Sequence, residues 1–359
     1  MDEIKPTRLL HDMGQSLWLD NITRDLLDSG TLQRYVDDLS VTGLTSNPTI
    51  FDQAFRDSTA YDAAIRAGVG KGRRGEDLFF DLAIEDLARA ADIFRPTYDR
   101  TNHVDGWVSL EVSPVLAYDT GSTLLAAKDL SKRASRPNIL IKIPGTPQGL
   151  AAIEQATTEG IPVNVTLLFS REQYLAAADA WMRGIENRIM AGLDPDVRSV
   201  ASVFVSRWDA AASSQIPTSR RNELGIAVAA QVHQASRYLH ASPRWQRALN
   251  EGARPQRVLW ASTGTKDPLA PDTLYIESLA TPYTVNTMPE KTLLAFADHG
   301  KFGRPLVEDF ERALQTLDFH RDCGLDIDAL GEKLQKDGAA SFVKSWGSLM
   351  ERIEAKTKV

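Results

Sequence analysis

Lys142 stands in the run Ile139-Leu140-Ile141-Lys142-Ile143-Pro144-Gly145-Thr146. A lysine set among isoleucines in a strand-like segment is badly placed for a solvated surface charge. An amine kept neutral there can attack a carbonyl carbon and form a Schiff base. Holding it neutral near pH 7, against a free value near 10.4, costs about 4.6 kcal/mol, which desolvation by apolar neighbours supplies. The structural alternative is a lysine that snorkels to the surface or forms a buried ion pair with Glu111. Polar groups mark the other strand-like runs in the same way. Side chains alternate between faces along a strand, so Ser109 and Glu111 share one face of Val108-Ser109-Leu110-Glu111-Val112, and Asn164 and Thr166 share one face of Val163-Asn164-Val165-Thr166-Leu167. Asp20 and Asn21 close the first run, and Thr45-Ser46-Asn47-Pro48 ends the second. Ser202 lies in the sixth, Ser262 ends the seventh and Asn286 marks the eighth. All are expected toward the C-terminal ends of their strands. Each costs about 1–3 kcal/mol if buried unpaired, and a charge costs more. The following turn explains a single Ser, Thr or Asn. It does not explain a Lys, a Glu and an Asp at the same end of different strands.

The elements that must position these groups are short apolar, β-branched runs alternating with helical patterns. Strands are predicted at Leu17–Ile22, Val41–Thr45, Gly106–Val112, Asn138–Ile143, Ile161–Phe169, Ser199–Val205, Arg257–Ser262 and Pro282–Thr287. Between them lie helical patterns such as Asp77–Phe94 and Arg171–Ala191, so each connection is a crossover and the strands are parallel. Eight such units predict an α/β fold, a closed (β/α)8 TIM barrel, with an open doubly wound sheet as the second choice. Extra helices must fill the long gaps after the second and sixth strands. Residues 301–359 read as a helical extension packed on the barrel, with helices over Leu306–Leu317 and Ile327–Lys356. No linker separates them, so residues 1–359 are expected to form a single domain. In such barrels catalytic groups gather at the C-terminal rim.

With the residues laid out this way, Gly43-Leu44-Thr45-Ser46-Asn47-Pro48-Thr49-Ile50-Phe51 resembles the first signature of the transaldolase family. The run Ile139 to Thr146 followed by Gly149 resembles the second, which contains the Schiff-base lysine. Trp18-Leu19-Asp20, Ser109-Leu110-Glu111-Val112, Asn164-Val165-Thr166-Leu167 and Ser202-Val203-Phe204-Val205-Ser206-Arg207 match the remaining strand ends in order. The resemblance implies a sugar phosphate substrate. Lys142 would attack C2 of fructose 6-phosphate or sedoheptulose 7-phosphate, and Asp20 would take the C4 hydroxyl proton. Glu111 with Thr166 would hold the water that shuttles protons. Thr45, Asn47, Asn164 and Ser202 would hold the three-carbon dihydroxyacetone unit, with Ser109 and Ser262 in the same substrate-binding set. Arg207 would grip the phosphate. Ala261-Ser262-Thr263-Gly264-Thr265-Lys266 departs from the Ser-Phe-Arg of many members, and Lys266 would stand in as the second cation, as in a longer-chain subgroup.

Composition narrows the field further. Forty-one Lys and Arg against 48 Asp and Glu leave a net charge of −7, which offers no footprint for a nucleic acid or an anionic membrane. The single cysteine, Cys323, forms no internal disulfide and suits a reducing cytosol. No apolar leader opens the chain and no run is long enough to span a membrane, so a cytoplasmic protein is expected. The six histidines are scattered, and neither a metal site nor a cofactor is expected. Gly68 to Gly75 matches no phosphate-loop spacing and is expected to be a mobile basic loop between helices. Monomer and homodimer stay equally open. Three alternatives remain: a fructose-6-phosphate aldolase that releases free dihydroxyacetone, whose known forms are shorter and lack the C-terminal extension, a pyridoxal-phosphate enzyme, and a barrel without chemistry.

Overall fold

In the computed structural model, which describes residues 4–303 and 305–358, the eight apolar runs are strands. They are β1 Ser16–Asp20, β2 Val41–Thr45, β3 Trp107–Glu111, β4 Ile139–Pro144, β5 Val163–Leu168, β6 Ser199–Phe204, β7 Arg257–Ala261 and β8 Val285–Met288. All pair in parallel, and β8 returns to β1 to close the barrel. The fold is the (β/α)8 barrel, and the open sheet is excluded. The long gap after β2 holds the helices Pro48–Asp57, Asp62–Gly70 and Gly75–Arg100, and that after β6 holds Ser206–Ala212, Leu224–Ala241 and Pro243–Asn250. No described helix is long and apolar enough to cross a membrane.

Local chemistry sets the helix starts. Arg171–Met190 opens on a capping box, in which Ser170 accepts from the Gln173 backbone and the Gln173 side chain accepts from the Ser170 backbone, satisfying orphan donors at its first turn. The same effect corrects the predicted helix over Leu306–Leu317. A short 3-10 turn occupies Leu306–Glu308, and the α-helix runs over Phe310–Asp322 because Asp309 caps the Arg312 amide. The expected basic loop is also shorter: Gly68, Val69 and Gly70 belong to the helix Asp62–Gly70, while Arg73 pairs with Asp81 at 3.0 Å across the corner.

Strand register decides which side chains enter the barrel. Glu111 pairs with Lys142 and Lys142 with Asn164, so all three share the inner face. Asp20 pairs with Thr45, and Trp18 with both Gly43 and Thr287, on that same face. Two expectations change here. Ser109 is the central residue of β3 and Asn164 the second of β5, so both lie within the barrel rather than at strand ends. In β8 the inward residue is Thr287, because alternation turns Asn286 outward, where it accepts from Thr263 at 2.9 Å.

Below Asp20 the Trp18 indole fills the interior directly over Gly43. A Cβ at Gly43 would lie 2.5 Å from Trp18 Nε1, so only glycine admits the ring. The indole N–H donates to buried Asp105 at 3.1 Å. We therefore expect Gly43→Ala to displace the indole and cost about 1–3 kcal/mol of stability by overpacking. A lower urea midpoint checks this, and an unchanged midpoint contradicts it.

Candidate active site

Lys142 reaches the barrel mouth from the fourth position of β4 and is 4% exposed. Its Nζ donates to the Ser46 carbonyl at 3.0 Å and lies 3.1 Å from Glu111 Oε2. Glu111 is the last residue of β3 and 6% exposed. Burial pushes its carboxyl above the usual range, against the lowering influence of Lys142, and the charge of Asp20 raises it further. Neither Glu111 oxygen has an aligned hydrogen-bond partner among the described residues.

Asp20, half-buried at the end of β1, faces the same centre. Burial raises its carboxyl, while Lys142, the Thr45 hydroxyl, Lys266 and Asn47 each pull it down. Thr45 donates to Asp20 at 2.9 Å and accepts the Thr287 hydroxyl at 2.6 Å, since a hydroxyl has one proton to give. The Asn47 side-chain oxygen caps the helix Pro48–Asp57 at Ile50 N, 3.1 Å away. Two acids held above their ordinary range around one amine are suited to exchanging protons with it and with a bound substrate.

A second set lies across the interior. Ser202 donates to Asn164 Oδ1 at 2.7 Å, and Asn164 Nδ2 donates to Ser109 at 2.9 Å. Thr166 is buried on the Asn164 face of β5, where the register shifts between Val165 and Leu168 and Leu167 adopts a left-handed φ of 58°. Its hydroxyl makes no hydrogen bond to Glu111 or to any other described group.

The third set lies beyond β6 and β7. Ser206 and Ser262 share a hydrogen bond of 3.0 Å. Arg207 is half-buried, its guanidinium 5.8 Å from the Phe204 ring centroid, and burial holds it below its usual value. Lys266 is exposed, and its charge reaches Asp20. The predicted residues thus converge on one mouth, with Thr166 unbonded and Lys266 the least integrated. Sequence reasoning missed the Ser46 carbonyl, Thr287, and Phe342 on the C-terminal helix Ile327–Lys356, whose ring centroid lies 5.7 Å from Lys142 Nζ. Only strand parity could have found Thr287, and nothing in a helical apolar pattern separates Phe342 from ordinary core.

A family described as Transaldolase/Fructose-6-phosphate aldolase matches residues 17–353. The chain is similar to a transaldolase of Thermobifida fusca (strain YX), 43% identical over 357 residues covering 97% of each chain. It is 41% identical over 358 residues to a transaldolase of Arthrobacter sp. (strain FB24), covering 97% of this chain and 96% of the other. A protein named Transaldolase 2 from Nostoc punctiforme is 40% identical over 366 residues, 96% of each chain.

One buried acid braces the corner that carries Arg207. Asp209 is 7% exposed and accepts from the amides of Leu224 at 2.9 Å and Gly225 at 3.2 Å and from the Tyr275 hydroxyl at 2.8 Å. Burial pushes its carboxyl up to about 6, against an ordinary value of 3.8. The stabilisation from its protonated form is therefore complete below about pH 4 and is lost as pH rises through about 6, a difference worth about 3 kcal/mol. We expect the stability of Asp209→Asn relative to the parent to improve by up to about 3 kcal/mol between pH 4 and pH 7. Denaturant unfolding across that range checks it, and a pH-independent difference contradicts it.

Proposed function

Since the chain belongs to the transaldolase/fructose-6-phosphate aldolase family, we propose that Lys142 is the Schiff-base residue of its transaldolase activity. The reaction moves a dihydroxyacetone unit from sedoheptulose 7-phosphate or fructose 6-phosphate to an aldose phosphate, the exchange of the pentose phosphate pathway. The observation that carries the lysine assignment is the buried Nζ, 3.1 Å from Glu111 at the mouth that Asp20 also faces.

Lys142 attacks C2 of the ketose, water leaves, and the iminium becomes the electron sink. On this reading the sink is built from the chain itself, and no cofactor or metal enters. Glu111 handles the protons of imine formation, and its Oε1 and the Thr166 hydroxyl, both without hydrogen-bond partners among the described residues, suit a shuttling water. Asp20 takes the C4 hydroxyl proton as the C3–C4 bond breaks, and its raised carboxyl suits a group that must also return one. Thr45, Asn47, Ser109, Asn164 and Ser202 hold the three-carbon unit, and the chain Ser202 to Asn164 to Ser109 keeps the amide oriented. Arg207, Ser262 and Lys266 bind the phosphate, Arg207 by a planar grip and Lys266 as a point charge. The reading places the protein in the cytoplasm. Aldolase activity that releases free dihydroxyacetone is not favoured, since the relatives matched along nearly their whole length are named transaldolases.

Borohydride reduction with fructose 6-phosphate should leave a three-carbon adduct on the peptide bearing Lys142. Lys142→Ala should abolish trapping, and Asp20→Asn should still form the imine while cleaving about 10²–10⁴-fold more slowly. An adduct on another lysine, or substantial turnover by Lys142→Ala, contradicts the assignment.

A further inference from the structure

The helix Ile327–Lys356 lies across the C-terminal mouth of the barrel, and its attachments are specific. Gln335 Nε2 donates to the carbonyls of Gly145 and Leu167, both at 3.0 Å, tying the helix to the ends of β4 and β5. Gly338 brings the helix backbone close to that corner: a Cβ there would lie 3.1 Å from the Leu167 side chain. Farther along, Ser345 accepts from Thr49 at 2.9 Å, the Trp346 ring meets Phe79 edge-on at 4.9 Å, and Arg352 pairs with Asp52 at 2.9 Å. Between these anchors Phe342, 5% exposed, sits with its ring centroid 5.7 Å from Lys142 Nζ.

We propose that Phe342 is a specificity-determining residue, the cover over the Schiff-base nitrogen that decides between transfer of the three-carbon unit and its loss to water. The inference rests on the assignment of Lys142 above. After C3–C4 cleavage the three-carbon unit stays on the lysine as an enamine. Transfer needs its nucleophilic carbon to meet an aldehyde. Loss needs that carbon to take a proton and become the iminium of dihydroxyacetone. Water then adds to the C=N carbon, the C–N bond breaks with its electrons returning to nitrogen, and the water oxygen becomes the ketone oxygen. The later addition of water also frees a transferred product and is common to both outcomes; what a phenyl ring obstructs is the protonation that commits the unit to loss. It fills space beside the nitrogen, two bonds from the enamine carbon, and offers neither a proton donor to that carbon nor an acceptor to orient a water there. Excluding water in this way protects a reactive intermediate from hydrolysis. The other groups at the nitrogen, the Ser46 carbonyl and Glu111, are polar and cannot fill that part.

The test compares the full chain with Phe342→Ala and Phe342→Leu. Free dihydroxyacetone released from fructose 6-phosphate without acceptor is measured against transfer to an added aldose phosphate, alongside the borohydride-trapped adduct on Lys142. In Phe342→Ala the ratio of release to transfer should rise about tenfold or more while the adduct still forms on Lys142. Phe342→Leu keeps the volume apolar but loses the ring face, and should give a smaller rise; it decides the matter alone if the alanine variant does not fold. An unchanged ratio in a folded variant that still traps the adduct overturns the inference. Absence of any adduct in the parent protein overturns the Schiff-base assignment itself, and the cover with it.

Discussion

A lysine amine and a glutamate carboxyl 3.1 Å apart, each at most 6% exposed, are the costliest feature of this molecule. Taking such groups out of water in charged form costs several kcal/mol each, and mutual attraction offsets that only when geometry and further hydrogen bonds are right. Here the carbonyl of Ser46 accepts a hydrogen bond from the Lys142 amine. Burial still dominates at Glu111, whose carboxyl stays above its ordinary range despite the lysine beside it. A rigid container is needed to keep the two groups in that position. The closed barrel provides it, because the pairing of β3 with β4 sets Glu111 directly opposite Lys142, and the C-terminal helix closes the container from above.

The two ends of the barrel divide the labour. At the C-terminal mouth, acids with raised carboxyls surround an amine. At the N-terminal end the polar groups are paired for stability: Asp105 accepts from Ser16 and Trp18, and Arg257 donates to Val104 and Thr284. A cavity of about 1110 Å³ opens at that end beside Gln15, Asp105 and Arg257. Size favours that cavity as a site, yet the groups poised for proton transfer gather at the other end. That chemistry, and the rule that barrel enzymes work at the C-terminal face, favour the mouth.

Much of this was legible in the chain. Lys142 among isoleucines, and Ser109 and Glu111 alternating with apolar residues, betrayed an inner face that was not simple core. The eight strands followed from β-branched runs whose ends turn sharply. What stayed hidden depended on register and tertiary contact. Asn286 and Thr287 are equally plausible from composition, and only the pairing of β8 with β1 turns Thr287 inward. Phe342 is one apolar residue among many in a long helix, and its place over Lys142 depends on anchors as remote as Gln335 and Arg352. The start of the helix Phe310–Asp322 was misplaced because the capping Asp309 outweighs the apolar periodicity before it.

The central claim is that burial, opposed by a lysine at contact distance, sets the state of Glu111. It is tested most directly by following the side-chain carboxyl carbon of Glu111 by NMR across a pH titration. Protein carrying carbon-13 glutamate supplies the signal, and Glu111→Gln supplies its assignment. The account predicts a midpoint above that of an ordinary glutamate in the parent protein, and a higher one still in Lys142→Met, where the lowering charge is gone. An ordinary midpoint in both proteins would contradict it.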